Sequence, residues 1–141
     1  MVYAAIQLIL PLRHYFLTNN VLWTENGFRF AWHVMVMEKN GLCEFEVVDN
    51  NTNKKIKVKP QVYLTDIQYK QMTTQPDMIW QFAQYLKNKF PKSNPKDLSV
   101  FVKSRVTLNG RLSQVFINPD VNLLSLTKMD DIYSYVSSLE N

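Results

Sequence analysis

The segment "FRFAWHVMVM", residues 28 to 37, places rings that can enclose a ligand beside a histidine that can move a proton. With a period of two, Phe28, Phe30 and Trp32 share one face of a strand, and His33 and Met35 lie on the other. Bulky rings exclude water from a pocket, and histidine titrates near neutral pH. The stripe is equally compatible with the inward face of a core strand, and His33 with a surface or hydrogen-bonded histidine.

Composition excludes several other chemistries. The chain has 141 residues, 46% of them hydrophobic, which is the size of one domain with a real core. One cysteine excludes an internal disulfide framework, and with two histidines it leaves no recognisable metal-ligand spacing. The net charge of +4 is a mild bias. The basic residues are not interleaved with stacking aromatics, so nucleic acid is not an expected partner.

The N-terminal stretch Val2 to Leu12 is apolar apart from Gln7. It is roughly half the length of the about 20 residues that a spanning helix needs. Arg13, His14 and the aromatics after them are typical of the point where a helix leaves lipid for the headgroup region. From composition alone, the stretch is either the end of a membrane helix or a core helix broken at Pro11.

Alternation of apolar and polar residues predicts an antiparallel meander after the aromatic segment. Asn40-Gly41 is predicted to be a tight hairpin turn. The return strand would point Cys43, Phe45 and Val47 inward. A turn at 49–53 would lead to a strand that points Ile56 and Val58 inward and Lys55, Lys57 and Lys59 outward.

Two helices are predicted next. Thr65 to Gln68 fits a capping box, in which a hydroxyl and an amide satisfy backbone donors of the first turn. Gln75-Pro76-Asp77 opens a second helix, since proline suits the first turn and Asp77 suits the positive end of the dipole. Pro91 to Pro95 is expected to end it.

A second hairpin is predicted around Asn109-Gly110. It would place Val115 and Ile117 on the same face as its inward residues Val102, Val106 and Leu108. By this parity, Met35, Met37, Phe101 and Phe116 would give the sheet a partly apolar second face, covered by another element or used for docking. The C-terminal residues would form a helix, capped at Thr127, or a loosely held tail.

This order of elements predicts an α+β fold: an antiparallel sheet of two hairpins, about four to five strands, with two helices packed on one face. Residues 1–20 are interpreted as the end of a membrane helix and a juxtamembrane segment. Residues 21–124 are the α+β domain, and residues 125–141 are the C-terminal helix or tail.

Several collinear motifs resemble the C-terminal, extracytoplasmic domain of the vitamin K-dependent gamma-carboxylase family, including its bacterial relatives. The resemblance runs from about Ile6 to Leu124 and favours the membrane-helix interpretation of Val2 to Leu12. Its motifs are Trp23-Thr24, the aromatic strand ending at Trp32, Gln75-Pro76-Asp77-Met78, Leu108-Asn109-Gly110-Arg111 and Asn118-Pro119-Asp120-Val121.

The resemblance implies a location on the extracytoplasmic side of a membrane, periplasmic in a bacterium. It implies a parent enzyme of the carbon-carbon lyase class that couples quinol epoxidation to glutamate carboxylation, with reduced vitamin K of the menaquinol type, oxygen and carbon dioxide. This chain would hold no cofactor, metal or catalytic residue. Its partners would be the membrane-embedded part of the same protein, the membrane surface and a glutamate-containing substrate, with Phe28, Phe30, Trp32, His33 and Met35 as substrate-binding positions.

Two interpretations stay open at this point. The chain is either the accessory domain of such an enzyme or a free-standing α+β module that binds peptides or anions without catalysis. The lysines from Lys54 to Lys59 bear on the second. They either form a solvated hairpin edge that discourages strand pairing, or they attract an acidic peptide or anionic headgroups.

Overall fold

The computed structural model describes residues 2–12, 20–26, 37–90 and 97–140. It confirms the α+β fold: a four-stranded antiparallel sheet in the order β2-β1-β3-β4, accompanied by helices. In chain order the elements are α1 (Val2–Leu12), α2 (Val21–Thr24), β1 (Lys39–Asp49), β2 (Lys54–Val58), a 3-10 turn (Pro60–Val62), α3 (Asp66–Met72), α4 (Pro76–Lys89), β3 (Leu98–Leu108), β4 (Gln114–Val115) and a 3-10 helix (Met129–Tyr135).

Strands β1 and β3 form the centre of the sheet. They pair along their whole length, from Lys39 opposite Leu108 to Asp49 opposite Leu98. Helix α4 covers their inward face, where the Phe45 and Phe82 rings lie 4.9 Å apart between centroids. The buried side chains of this layer include Cys43, Val47, Ile79, Leu86, Val100, Val102 and Val106. Burying one such large apolar side chain stabilises the fold by about 1.5–3 kcal/mol.

The predicted hairpin turn at Asn40-Gly41 is wrong, because β1 runs straight through both residues. Gly41 is required for space rather than for a positive φ. A Cβ atom there would lie 2.6 Å from the carbonyl oxygen of Thr73, at the end of α3. An Asn-Gly pair is a strong turn signal, but here the glycine lets a helix end approach the strand closely.

The predicted turn at Asn109-Gly110 is confirmed, with φ values of 49° and 75°. The register after it is not the predicted one. A two-residue turn would set Val106 opposite Ser113, but Val106 lies opposite Gln114. The return strand therefore holds one extra residue, and such a bulge exchanges the faces of the side chains that directly follow it, Val115 and Phe116.

The bulge overturns two predictions. Val115 lies opposite Arg105 and is exposed, so it does not join the core. Phe116 donates its N–H to the carbonyl of Ser104 over 3.0 Å and is fully buried, so it is not part of a second face. Ile117 is buried, as predicted.

The rest of the predicted second face also differs from expectation. Met37 is partly buried and packs against the core cluster. Phe101 does lie on the outer face of the sheet, opposite Glu46, and is half-buried. Met35 lies outside the described residues. Over the described strands, the outer face is mainly charged, with Glu44, Glu46, Lys55, Lys57, Lys103 and Arg105.

The predicted helix starts are confirmed. The Thr65 hydroxyl accepts from Gln68 N–H over 3.4 Å, and the Gln68 amide oxygen accepts from Thr65 N–H over 3.0 Å. Helix α4 begins at Pro76 and ends at Lys89, with Asp77 in its first turn. The proline segment predicted to end it lies outside the described residues.

The C-terminal segment is bonded to the sheet. Its helix is a short 3-10 helix, Met129–Tyr135. In the first turn, the Asp131 carboxylate accepts from Lys128 N–H over 3.0 Å and from the Thr127 hydroxyl over 3.3 Å. A bridge between Ile117 and Val136 follows. Ser137 then donates to the carbonyl of Phe116 over 2.9 Å.

Helix α1 has 11 residues, and its apolar side chains are largely exposed, including Val2, Leu8 and Ile9. Among the described residues, no helix combines the length and the apolarity that crossing a membrane requires.

Candidate functional site

A buried lysine that follows segment 27–36 is hydrogen-bonded to residues that precede this segment. Lys39 begins β1, and its side chain is 3% exposed. Its ammonium donates to Trp23 O over 2.6 Å, to Thr74 O over 2.7 Å and to Glu25 Oε1 over 3.1 Å. An ammonium has three N–H donors, so these acceptors use all of them.

Two aromatic rings complete the surroundings of the ammonium. Lys39 Nζ lies 4.4 Å from the Phe116 ring centroid and 5.7 Å from that of Trp23. Burial lowers the pKa of Lys39, and the nearby Glu25 carboxylate opposes that shift. Charge, hydrogen bonds and ring faces together offset the desolvation of the cation.

Glu25 turns the chain at this point. It follows α2 with a φ of 57°, in the left-handed region, and its N–H donates to Val21 O over 2.9 Å. A residue with a Cβ atom in that region costs about 1–2 kcal/mol. The bond from Lys39 to the Glu25 carboxylate helps to hold this conformation.

The other end of the segment is held by the tip of the second hairpin. Glu38 N–H donates to the side-chain oxygen of Asn109 over 2.8 Å. Asn109 N–H in turn donates to Glu38 O, also over 2.8 Å. The Asn109-Gly110 turn therefore binds the residue that directly precedes Lys39.

Trp23 connects this cluster to the C-terminal segment. The ring is 1% exposed, packs edge-on against Phe116 at 5.1 Å, and donates its indole N–H to Ser137 O over 2.7 Å. We call Trp23, Glu25, Lys39, Asn109 and Phe116 the base cluster. Its hydrogen bonds hold Glu25, two residues before segment 27–36, and Glu38, two residues after it.

The sequence comparison is decisive at this point. Residues 1–140 match the family model described as "Vitamin K-dependent gamma-carboxylase, lumenal domain". The chain belongs to this family. It is thus an extracytoplasmic domain associated with a gamma-carboxylase. No solved structure gives a significant match.

The motifs behind the resemblance converge on the base cluster of this lumenal domain. Trp23 and Asn109 belong to two of them, and Thr74, which binds Lys39, directly precedes the Gln75-Pro76-Asp77-Met78 motif. Asn118-Pro119-Asp120-Val121 follows Phe116 and Ile117 and forms a turn, in which the Asn118 side chain accepts from Asp120 N–H over 3.0 Å.

The substrate-binding positions expected from the sequence lie outside the described residues. Phe28, Phe30, Trp32, His33 and Met35 all fall in segment 27–36, so their predicted role stays a prediction. Among the described residues near this segment, Glu25 accepts a hydrogen bond from Lys39 and Glu38 donates one to Asn109.

Sequence reasoning missed Lys39 and Glu25. A signal was available, because positions 39, 41, 43, 45 and 47 share the inward face of β1, and Lys39 is the charged residue in that row. Interpreting Asn40-Gly41 as a turn broke the row and hid the signal. The hydrogen bonds between Asn109 and Glu38 could not be predicted from neighbouring residues, since the two are far apart in sequence.

No group of His, Cys, Asp and Glu able to hold a metal occurs among the described residues. Two clefts open on the outer face of the sheet, of about 580 Å³ and about 500 Å³. Both are lined partly by charged side chains, which do not suit an apolar quinol. These two clefts therefore offer charged and polar groups to a ligand.

Proposed function

We propose that this chain is the accessory, substrate-recognition domain of a vitamin K-dependent gamma-glutamyl carboxylase-like membrane enzyme. The parent would couple quinol epoxidation to carboxylation of a glutamate in a peptide or protein. Segment 27–36 would form one wall of the substrate site, with Trp32 nearest the reacting glutamate. Family membership supports the association with a carboxylase.

One observation carries the positional part of the proposal. Lys39 binds Trp23 O and Glu25 on one side of segment 27–36, and Asn109 binds Glu38 on the other. A segment whose neighbouring residues are held by hydrogen bonds has fewer conformations to lose when it binds a ligand. Rings on such a segment can keep water away from a reactive carbanion while leaving room for a glutamate side chain.

Reduced vitamin K would supply the strong base that removes a proton from the glutamate gamma carbon. Side-chain bases with pKa values of at most about 10 cannot do this unaided. Since the clefts among the described residues are charged, we assign the quinol, oxygen and carbon dioxide to the membrane-embedded part of the parent. The membrane surface and that embedded part would be the partners of α1 and of the residues that follow it.

The proposal is tested by Trp32→Ala in the full-length parent. The variant should raise KM for a glutamate peptide and lower carboxylation more than epoxidation, because the quinol binds elsewhere. Trp32→Phe, which keeps a ring, should retain most of the activity. Circular dichroism and the thermal midpoint establish first that both variants are folded.

An equal loss of epoxidation and carboxylation by folded Trp32→Ala, with KM for glutamate unchanged, would contradict the substrate-wall role. The segment would then serve only the core.

The alternative is a free-standing α+β module that binds peptides or anions. The basic outer face of the sheet favours this candidate. Isolated chain incubated with reduced vitamin K, labelled bicarbonate and a glutamate peptide should give no product in either case. An upstream reading frame with several membrane spans, continuous with this chain, supports the accessory domain, whereas a free start codon at Met1 supports the module.

A further inference from the structure

The outer face of the sheet has a cleft whose side chains suit a particular kind of ligand. Strand β2 ends at Val58, so the stretch of β1 around Leu42 has no β2 neighbour. The cleft of about 500 Å³ lies there, a volume in the range of small-ligand and peptide sites. It is lined by Leu42, Cys43, Glu44, Lys59, Gln61, Val62, Tyr69, Lys103 and Arg105.

The charged groups of this cleft are mostly cations. The cleft contains three cationic side chains, Lys59, Lys103 and Arg105, and one carboxylate, Glu44. All four side chains are exposed. The neighbouring cleft shares Lys103 but is more balanced, because it also holds Asp120 and a Glu46–Lys55 ion pair at 3.4 Å. The excess of positive charge is thus greater beside Leu42 than in the neighbouring cleft.

Apolar groups border the same cations. Leu42 is 68% exposed and Val62 is 76% exposed, which is high for side chains of this type. Tyr69 also lines the cleft, and its hydroxyl accepts a hydrogen bond from Cys43 N–H over 3.3 Å. A ligand that fills the cleft would match both features if it carried carboxylates and apolar side chains together.

The chain cannot supply such a ligand from the segments that the structure leaves undescribed. Residues 13–19, 27–36 and 91–96 contain no aspartate or glutamate but do contain Arg13, Arg29, Lys92 and Lys96. All the carboxylate side chains of the chain lie in the described part. Charge complementarity therefore points to a separate acidic segment.

We propose that the cleft beside Leu42 binds an extended acidic peptide segment in which glutamate or aspartate alternates with apolar residues. The cations bind the carboxylates, and Leu42 and Val62 contact the apolar side chains. An extended strand presents alternate residues to opposite sides, which suits a cleft with cationic and apolar borders. The proposal does not rest on the function proposed for segment 27–36.

The test uses the whole chain and a fluorescein-labelled ten-residue peptide that alternates glutamate and leucine, with binding measured by fluorescence anisotropy. The peptide should bind, and its affinity should fall as salt rises. Lys59→Glu with Lys103→Glu should weaken binding by about tenfold or more. The control, Lys89→Glu with Lys128→Glu, makes the same change in net charge outside the cleft and should bind nearly as well as the parent.

Four results would overturn the proposal. One is equal weakening by both double variants, which would show a response to overall charge. Another is equal affinity for a peptide with glutamine in place of glutamate. The third is absence of peptide binding while vesicles containing an anionic lipid bind and lose binding in the Lys59, Lys103 variant. The fourth is self-association of the chain that competes with the peptide and is lost in that variant.

Discussion

Strands β1 and β3 carry cations on both faces, and the two faces use them differently. On the inner face, Lys39 is buried and donates hydrogen bonds to Trp23, Glu25 and Thr74. On the outer face, Lys103 is exposed to water. A desolvated cation with fixed partners holds a geometry, whereas hydrated cations remain available for a ligand. We therefore assign positioning to the inner face and binding to the outer face.

Replacing the buried cation should have the largest effect. Lys39→Met leaves Glu25 and two carbonyl groups without their donor, so the free energy of unfolding should fall by about 3–5 kcal/mol. Lys103→Met, on the same sheet but exposed, should change it by less than about 0.5 kcal/mol. Urea denaturation measures both. Similar values for the two variants would remove the distinction between the faces.

Glycine substitutions separate close packing from backbone conformation. Gly41→Ala should cost about 1–3 kcal/mol, because its Cβ would meet Thr73 O at 2.6 Å. Gly110→Ala has free space but a φ of 75°, so it should cost about 1 kcal/mol from backbone strain alone. The difference in unfolding free energy checks the order. A neutral Gly41→Ala would show that α3 does not press against β1.

Titration of the inner face provides a further test. Burial raises the pKa of the Cys43 thiol to about 12 from an ordinary value of 9.0. The unfolded state then loses its thiol proton first as pH rises, so stability should fall through the window from about 9 to about 12. Between pH 8 and pH 10 the loss is about 1.4 kcal/mol.

Lys39 acts in the opposite direction, since its lowered pKa makes stability rise as pH approaches the ordinary value of 10.5. Cys43→Ala removes the thiol and keeps Lys39, so the parent minus variant difference isolates the cysteine. A difference that does not change between pH 8 and pH 10 would contradict the burial of Cys43.

The outer ion pair should have the smallest effect. Lys55 is 68% exposed in its pair with Glu46. Exposed pairs contribute about 0.2–1 kcal/mol, so Lys55→Met should lower stability by about 0.5 kcal/mol or less. A loss above about 2 kcal/mol would mean that the outer face is as strongly coupled to the fold as the inner face.

Local chemistry allowed much of the fold to be predicted. The capping box at Thr65, the proline start at Pro76 and the Asn109-Gly110 turn each depend on neighbouring residues, and each was predicted correctly. The errors came from distant contacts. Asn40-Gly41 looks like a turn until Thr73 is known to press on Gly41. The bulge after Gly110 depends on the sheet, and it alone decides that Phe116 points inward.

The site was only partly accessible to sequence reasoning. The aromatic positions in segment 27–36 follow from a pattern and a resemblance, and their role remains a prediction. The base cluster joins Trp23, Glu25, Lys39, Asn109 and Phe116, which are spread over much of the chain. Hydrophobic periodicity describes one strand at a time, so it cannot reveal that a turn and a strand start share hydrogen bonds.

The central claim is that the base cluster positions segment 27–36 for a glutamate substrate, and Asn109 tests it most directly in the full-length parent. Asn109→Gly keeps a left-handed turn but loses the side-chain acceptor for Glu38 N–H, whereas Asn109→Asp keeps both. Since one intramolecular hydrogen bond contributes about 1 kcal/mol, KM for a glutamate peptide should rise about fivefold in Asn109→Gly, with epoxidation little changed. Asn109→Asp should resemble the parent. An unchanged KM in folded Asn109→Gly, or an equal rise in both variants, would contradict the claim.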